Sequence, residues 1–313
     1  MKSIAKAVLF LLMAYLMSGC ASVKQGMFDF MMSAERSRSD LKPGIVRIQD
    51  QSMAYLERPG KGETIVLIHG FTGNKDHWTR FVRYLPEDYR VLAFDMPGHG
   101  DNEQSIEKTY TVDYMVSTLD QAVDALGISR FHLAGSSMGG WISILYAARY
   151  PQKVRSLCLM DNAGLMNVSP RPSDLQLEVS KGHNPFFITS REDFDELFGY
   201  AFHEQPFYPW PIFSVLSDRA IASNTFYEKV GNEFLTRSTD IQPLLPGLEM
   251  PVLVIWGDKD RILHVSTTEV LSKSLPRSEI VIMKDCGHMP MVEKPRETAE
   301  YYVNFLSRQR LDL

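Results

Sequence analysis

Cysteine is scarce in this chain: three among 313 residues, Cys20, Cys158 and Cys286. Three cannot build a disulfide framework, so an apolar core has to hold the molecule together. No CxxC or HExxH spacing occurs. That removes the usual zinc signatures, and neither a metal nor a cofactor is expected. Charge of one sign is lacking too. The 33 Lys and Arg nearly balance 38 Asp and Glu, for a net charge of −5 with both signs scattered. Without a basic block, nucleic acid is a poor partner. Hydrophobic residues, by contrast, make up 44% of the chain. That is enough for the core of one α/β domain with an inserted subdomain, or of two small domains.

The N-terminus differs in kind. Lys2 and Lys6 precede an apolar run over 7–17, which is followed by Ser18, Gly19 and Cys20. A basic start, a short apolar stretch and small residues before a cut mark an export signal. The run is shorter than the roughly 20 residues of a spanning helix. The residues around Cys20 resemble the lipobox of bacterial lipoproteins, in which the cysteine is acylated. The expectation is a protein of the bacterial cell envelope, held on a membrane through lipidated Cys20, with its folded part in the periplasm. Two alternatives stand beside it. An uncut anchor helix could be prolonged by Met27, Phe28, Phe30, Met31 and Met32, or the segment could be a plain secretory signal. Cys158 and Cys286 read as buried free thiols.

Residues 1–20 thus form the signal or anchor, and the polar stretch 21–44, ending in Lys42-Pro43-Gly44, reads as a juxtamembrane linker. Two short β-type runs follow, 45–49 and 53–57. The texture then changes to near-continuous apolar runs: TIVLIH (64–69), RVLAFD (90–95), FHLA (131–134), VRSLCLM (154–160), VLVIW (252–256) and IVIM (280–283). Helical patterns separate most of them, for example 112–126 and 141–149. A final helix is expected over 297–308. This alternation predicts a mostly parallel sheet covered by helices on both faces. The core is assigned to 45–164 and 248–313. The stretch 165–247 breaks the alternation. It is rich in proline and in phenylalanine (Phe186, Phe187, Phe194, Phe198, Phe202, Phe207, Phe213) and contains Trp210. It reads as a helical cap whose aromatics form its own core, some of them lining an apolar pocket.

The strongest chemical signal is Gly135-Ser136-Ser137-Met138-Gly139-Gly140, directly after FHLA and before a helical pattern. This is a G-x-S-x-G nucleophile elbow in strand–turn–helix context, with Ser137 at its centre. The loop His69-Gly70-Phe71-Thr72-Gly73 follows TIVLI. One backbone N–H from it, at Phe71, and that of Met138 are the candidate oxyanion donors, worth about 3 kcal/mol each in a transition state. His69 precedes the nucleophile and is read as shaping its loop.

Acid and base should follow in the order Ser, Asp or Glu, His. Of eight histidines, His288 lies in Asp285-Cys286-Gly287-His288, between a strand and the last helix. His183, His203 and His264 lack such a setting, His132 falls inside a strand, and His77 and His99 read as structural. For the acid, Asp258 and Asp260 both follow VLVIW, and Asp260 is favoured. Asp161 at the end of SLCLM stays open as an alternative, and Asp95 is read as stabilising its own loop. The pattern Ser137, Asp260, His288 suits nucleophilic attack on an ester, with the carboxylate orienting the imidazole.

HGFTGNKDHW (69–78), DMPGHG (95–100), GSSMGG (135–140), WGDKD (256–260) and DCGHMPMVEKP (285–295) resemble the α/β-hydrolase superfamily. They are especially similar to bacterial family V lipases and the monoacylglycerol lipases related to them. The resemblance spans about residues 45–308. It implies the α/β-hydrolase fold, a helical cap over the site, and the same three roles for Ser137, Asp260 and His288. It also implies a serine lipase or esterase acting on lipid esters, which the N-terminal segment would hold on a membrane. Phospholipase A or lysophospholipase activity is one alternative, and carbon–carbon bond hydrolysis on the same scaffold is another. Dehalogenases and epoxide hydrolases of this fold need Asp where Ser137 stands. A non-catalytic scaffold would be expected to have lost a triad residue, and none is lost.

Overall fold

The computed structural model describes residues 22–49 and 51–311. The expected signal or lipobox, with Lys2, Lys6 and Cys20, lies outside them. Strands β3 (Thr64–Ile68), β4 (Arg90–Phe94), β5 (Phe131–Ser136), β6 (Val154–Met160) and β7 (Val252–Gly257) are buried along almost their whole length. That burial is what their unbroken apolar runs require once both faces are covered. Together with β8 (Ser278–Met283) they pair in parallel. The two β-type runs ahead of them are β1 (Lys42–Ile48) and β2 (Gln51–Arg58), an antiparallel pair that joins the sheet through β4. The order is β1-β2-β4-β3-β5-β6-β7-β8. The described residues thus form one sheet of eight strands, and it is mostly parallel, as expected.

In chain order the helices are α1 over 22–37, α2 (Thr79–Val82), α3 (Val112–Ala125), α4 (Met138–Arg149) and then a run of four, α5 (Asp174–Ser180), α6 (Arg191–Ala201), α7 (Trp210–Ala222) and α8 (Asn224–Arg237). Those four occupy the segment between β6 and β7 that the sequence marked as different. Helices α9 (Thr267–Ser274), α10 (Pro290–Glu293) and α11 (Pro295–Leu311) complete the chain. Helix α4 packs on β5 and β6, α3 on α4 and β1, and α11 on α2 and β7.

One element departs from the sequence reading. Residues 22–37, within the expected linker, are helical. Phe28, Met31 and Met32 stand at i, i+3 and i+4, and this short stripe packs on Ile212, Val215 and Leu216 of α7. The Arg219 guanidinium lies 4.7 Å from the Phe28 ring centre. Lys24 pairs with Asp218, and Arg36 forks onto Asp76 at 2.6 and 2.7 Å. The charges that suggested a solvated linker are therefore partners for α7 and for the loop after β3. Among the described residues no helix is long and apolar enough to cross a membrane.

Candidate active site

Strand β5 ends at Ser136 and α4 begins at Met138, so Ser137 alone makes the turn. Its backbone adopts φ 54° and ψ −119°. A side chain at positive φ costs energy, and the surroundings have to enforce it. Glycines make this possible. A Cβ on Gly135 would meet the Gly139 carbonyl oxygen at 2.1 Å, and one on Gly139 would meet that of Ile68 at 2.2 Å. Backbones of β3, β5 and α4 touch there, which only glycine permits. The Ser137 N–H donates to the Met160 carbonyl at 3.0 Å, and the Ala163 N–H donates to the Ser137 carbonyl at 2.9 Å. The elbow is thereby tied to the end of β6. Ser137 is half-buried, whereas Ser136 is buried.

The loop after β3 runs directly past this serine. A Cβ on Gly70 would lie 3.0 Å from Ser137 Cβ and 3.6 Å from its Oγ. Phe71 follows on that loop. Met138 is the first residue of α4, so its N–H has no acceptor within the helix. A clamp that the sequence reading missed holds the loop in place. The buried Lys75 ammonium reaches Asp95 at 2.5 Å and Asp101 at 2.6 Å, while the Lys75 and Asp101 N–H groups donate to Asp95 at 2.7 and 2.9 Å. Asp95 therefore steadies its own loop and also ties it to the loop beside Ser137. His69 takes part as well. The Met96 N–H donates to its Nε2 at 3.0 Å, which leaves Nδ1 to donate to the Gly70 carbonyl at 2.7 Å. Burial pushes its pKa well below the usual histidine range, so the ring is neutral with both nitrogens engaged.

Acid and base meet at the ends of the next strands. His288 Nδ1 lies 2.8 Å from Asp260 Oδ2, and both side chains are buried. Asp260 Oδ1 accepts the N–H groups of Ile262 at 2.8 Å and Leu263 at 2.9 Å. Asp258 points elsewhere: it takes a long contact from the Cys286 N–H at 3.4 Å and pairs with Lys259. The structure thus brings Asp260, and not Asp258, to His288. The His288 N–H donates to the Ala201 carbonyl at 2.9 Å. Glu293, also missed, accepts from the N–H groups of Gly287, His203 and Glu204 and holds this loop against the segment after α6. Of the other histidines, His132 contacts Ser156 and Glu63, His183 an exposed Glu196, and His264 Ser266, while His203 is exposed. Burial pushes His77 and His99 down to about 4.

Ser137, Asp161, Asp260 and His288 follow the adjacent strands β5, β6, β7 and β8. All four stand at carboxyl ends, where open α/β sheets place their chemistry. Among the described residues the converging donor group is Asp161, Asp260 and His288. Hydrogen bonding already accounts for the His288 Nδ1 and both Asp260 oxygens, so this donor set does not read as a metal cage.

A sequence profile of the α/β hydrolase fold matches residues 63–196 and 213–295. The chain belongs to the α/β-hydrolase family. It is 34% identical to Lipase 3 of Moraxella sp. (strain TA144) over 275 residues, 87% of this chain and 86% of that one. Monoacylglycerol lipase ABHD6 of Homo sapiens is 32% identical over 263 residues, 81% of this chain and 78% of its own. Among solved structures, a membrane phospholipase A superposes with TM-score 0.91 at 40% identity, covering 99% of both chains.

In this α/β hydrolase the aromatics between β6 and β7 divide into three sets. Phe194, Phe198, Phe202 and Phe213 pack together, Phe194 with ring centres 4.8 Å from Phe198 and 5.2 Å from Phe213, and Phe198 5.3 Å from Phe202 and 5.4 Å from Phe213. Phe186, Tyr227 and Phe234 surround Phe71 at 5.7, 5.5 and 5.5 Å, seating this segment on the loop beside Ser137. Phe187, Phe207 and Trp210 are exposed. Cys158 and Cys286 are free and buried, and burial pushes both thiols up.

Proposed function

We propose that this α/β hydrolase cleaves carboxylic esters of lipids through an acyl-enzyme formed on Ser137. The observation that carries the reading is the Asp260–His288 pair at 2.8 Å, after β7 and β8, at the same carboxyl end of the sheet as the strained serine elbow after β5. Ser137 Oγ attacks the ester carbonyl while His288 Nε2 takes its proton. Asp260 holds the ring orientation and faces the imidazolium that forms. The Phe71 and Met138 N–H groups receive the oxyanion. His288 returns the proton to the departing alcohol, and water then releases the acid by the same steps in reverse order.

Lipid esters are the substrate class because relatives of this similarity are named lipases and monoacylglycerol lipases. A second reading, phospholipase A or lysophospholipase activity, is favoured by the likeness to a membrane phospholipase A. Membrane association is part of the proposal. Val23, Met27 and Phe30 on α1, Phe207 just before α7 and Trp210 at its start expose apolar side chains. They follow the N-terminal segment proposed to hold the enzyme in the cell envelope through lipidated Cys20 or an anchor helix. Membrane anchoring keeps bilayer lipids at high local concentration without altering the triad. The segment 165–247 is proposed as a cap over the site.

The test is one panel: monoacylglycerol, triacylglycerol, lysophospholipid and phospholipid, each given to wild type and to Ser137→Ala. Lipid hydrolysis by wild type, falling by about 10⁶ in kcat for Ser137→Ala, is expected. An active Ser137→Ala enzyme would remove the mechanism. A wild type that cleaves none of the four would remove the substrate class.

A further inference from the structure

Asp161 is a buried carboxyl group to which the triad chemistry gives no task. It follows β6 with φ 45°, a left-handed conformation that the surroundings hold in place. Its N–H donates to the Ile255 carbonyl at 3.0 Å, and its Oδ1 accepts the Gly257 N–H at 2.9 Å. The backbone and half of the carboxyl group are thereby fixed against β7. Oδ2 is enclosed, and among the described residues no N–H or hydroxyl donor reaches it. Asp260 is the neighbour instead. One oxygen from each carboxyl group and a ring nitrogen of His288 lie within 4.8 Å of one another.

Two ionised carboxylates this close and this deeply buried repel each other with no water to screen them. One proton turns the repulsion into an O–H···O hydrogen bond. The titratable groups facing Asp161 are Asp260, His288, Glu293 and the Cys286 thiol. Asp260 cannot be the protonated member without loss. Its Oδ1 already accepts two N–H groups, and its Oδ2 faces His288. Asp161 has the vacant oxygen.

We propose that Asp161 is a neutral carboxylic acid at pH 7 whose O–H donates to Asp260, and that it is the positioning residue holding the Asp260 carboxylate against His288. Burial first, and the Asp260 charge second, push its pKa well above the ordinary carboxylate range. The proton stays on Asp161 through the reaction. When His288 becomes imidazolium it therefore faces one negative charge and not two. This inference rests on the Ser137–Asp260–His288 reading above.

The test uses the full-length enzyme, a short soluble ester, and infrared spectra of wild type, Asp161→Asn and Asp161→Ala. Asparagine tolerates the same backbone, keeps an acceptor for the Gly257 N–H, and donates to Asp260 through its amide. Its kcat should stay within about threefold of wild type, with an unshifted pH profile. Alanine removes the donor, so kcat should fall by about 10- to 100-fold with little change in KM. The wild-type spectrum at pH 7 should contain the carbonyl stretch of a neutral carboxylic acid, and Asp161→Asn should lack it. That spectral arm holds even if the alanine variant folds poorly. Absence of the band from wild type would overturn the proposal, as would an asparagine variant as impaired as alanine. Ser137→Ala assayed alongside separates the two ideas. If it is dead and the band is missing, only the role of Asp161 fails; if it is active, the triad reading fails first.

Discussion

Replacing Asp260 with asparagine removes one charge and almost no volume, yet its surroundings dictate how the new amide lies. Oδ1 of Asp260 accepts from Ile262 and Leu263 at 2.8 and 2.9 Å. An NH2 group at that position would leave two buried N–H donors facing a donor, at about 1–3 kcal/mol each. The amide oxygen therefore takes the Oδ1 place, and the NH2 group takes the Oδ2 place, 2.8 Å from His288 Nδ1. Nδ1 then has to accept, and the ring proton moves to Nε2. That is the nitrogen meant to receive the Ser137 proton, so the base is lost while the contacts to Ile262, Leu263 and His288 survive. The expected fall in kcat is about 10⁴, as found where a triad aspartate is replaced this way, or about 5.5 kcal/mol of barrier. The assay is kcat and KM for a short soluble ester, with a melting curve to show an intact fold. Asp258→Asn is the control and should remain close to wild type, because among the described residues Asp258 makes long contacts of 3.4 Å to Cys286 and Lys259 and does not reach His288. An Asp260→Asn enzyme of near-normal kcat, or an Asp258→Asn enzyme just as impaired, would refute the reasoning.

Gly139→Ala should destabilise the protein by about 3 kcal/mol or more, because the new methyl meets backbone oxygens of Ile68 and His69 at 2.2 and 2.6 Å; a melting temperature near wild type would contradict this. Deleting residues 1–20 should spare hydrolysis of a short soluble ester and lower that of vesicle-embedded lipid. Deleting 1–40 should also cost stability, about 3–5 kcal/mol through lost Phe28 packing alone. Two truncations with equal denaturation midpoints would count against the structural role of α1. Cys158 and Cys286 should resist iodoacetamide in the native enzyme and react once it unfolds, since burial raises both thiols and hides both sulfurs; native-state labelling, read by mass spectrometry of tryptic peptides, would show the packing to be looser.

The chain sequence was enough to place the strands, because each buried strand announces itself as an unbroken apolar run such as TIVLI or VLVIW. It also located the serine elbow, since so sharp a turn demands glycines at 135 and 139. Those signals are local: spacing reports that a face is buried and not what buries it. Helix α1 was misread for that reason. Its polar residues read as a linker, and Asp218 and Asp76, the partners of Lys24 and Arg36, are supplied only by folding. Likewise, Asp258 and Asp260 both qualify by position along the chain, and Asp161 stays open beside the favoured Asp260. Lys75 joins Asp95 and Asp101 only because β3 and β4 are sheet neighbours. Asp260 reaches His288 and approaches Asp161 because the strand order sets β7 between β6 and β8. Which carboxylates share a proton or an imidazole is a matter of distances of a few ångströms across strands, and those distances exist only once the sheet has assembled.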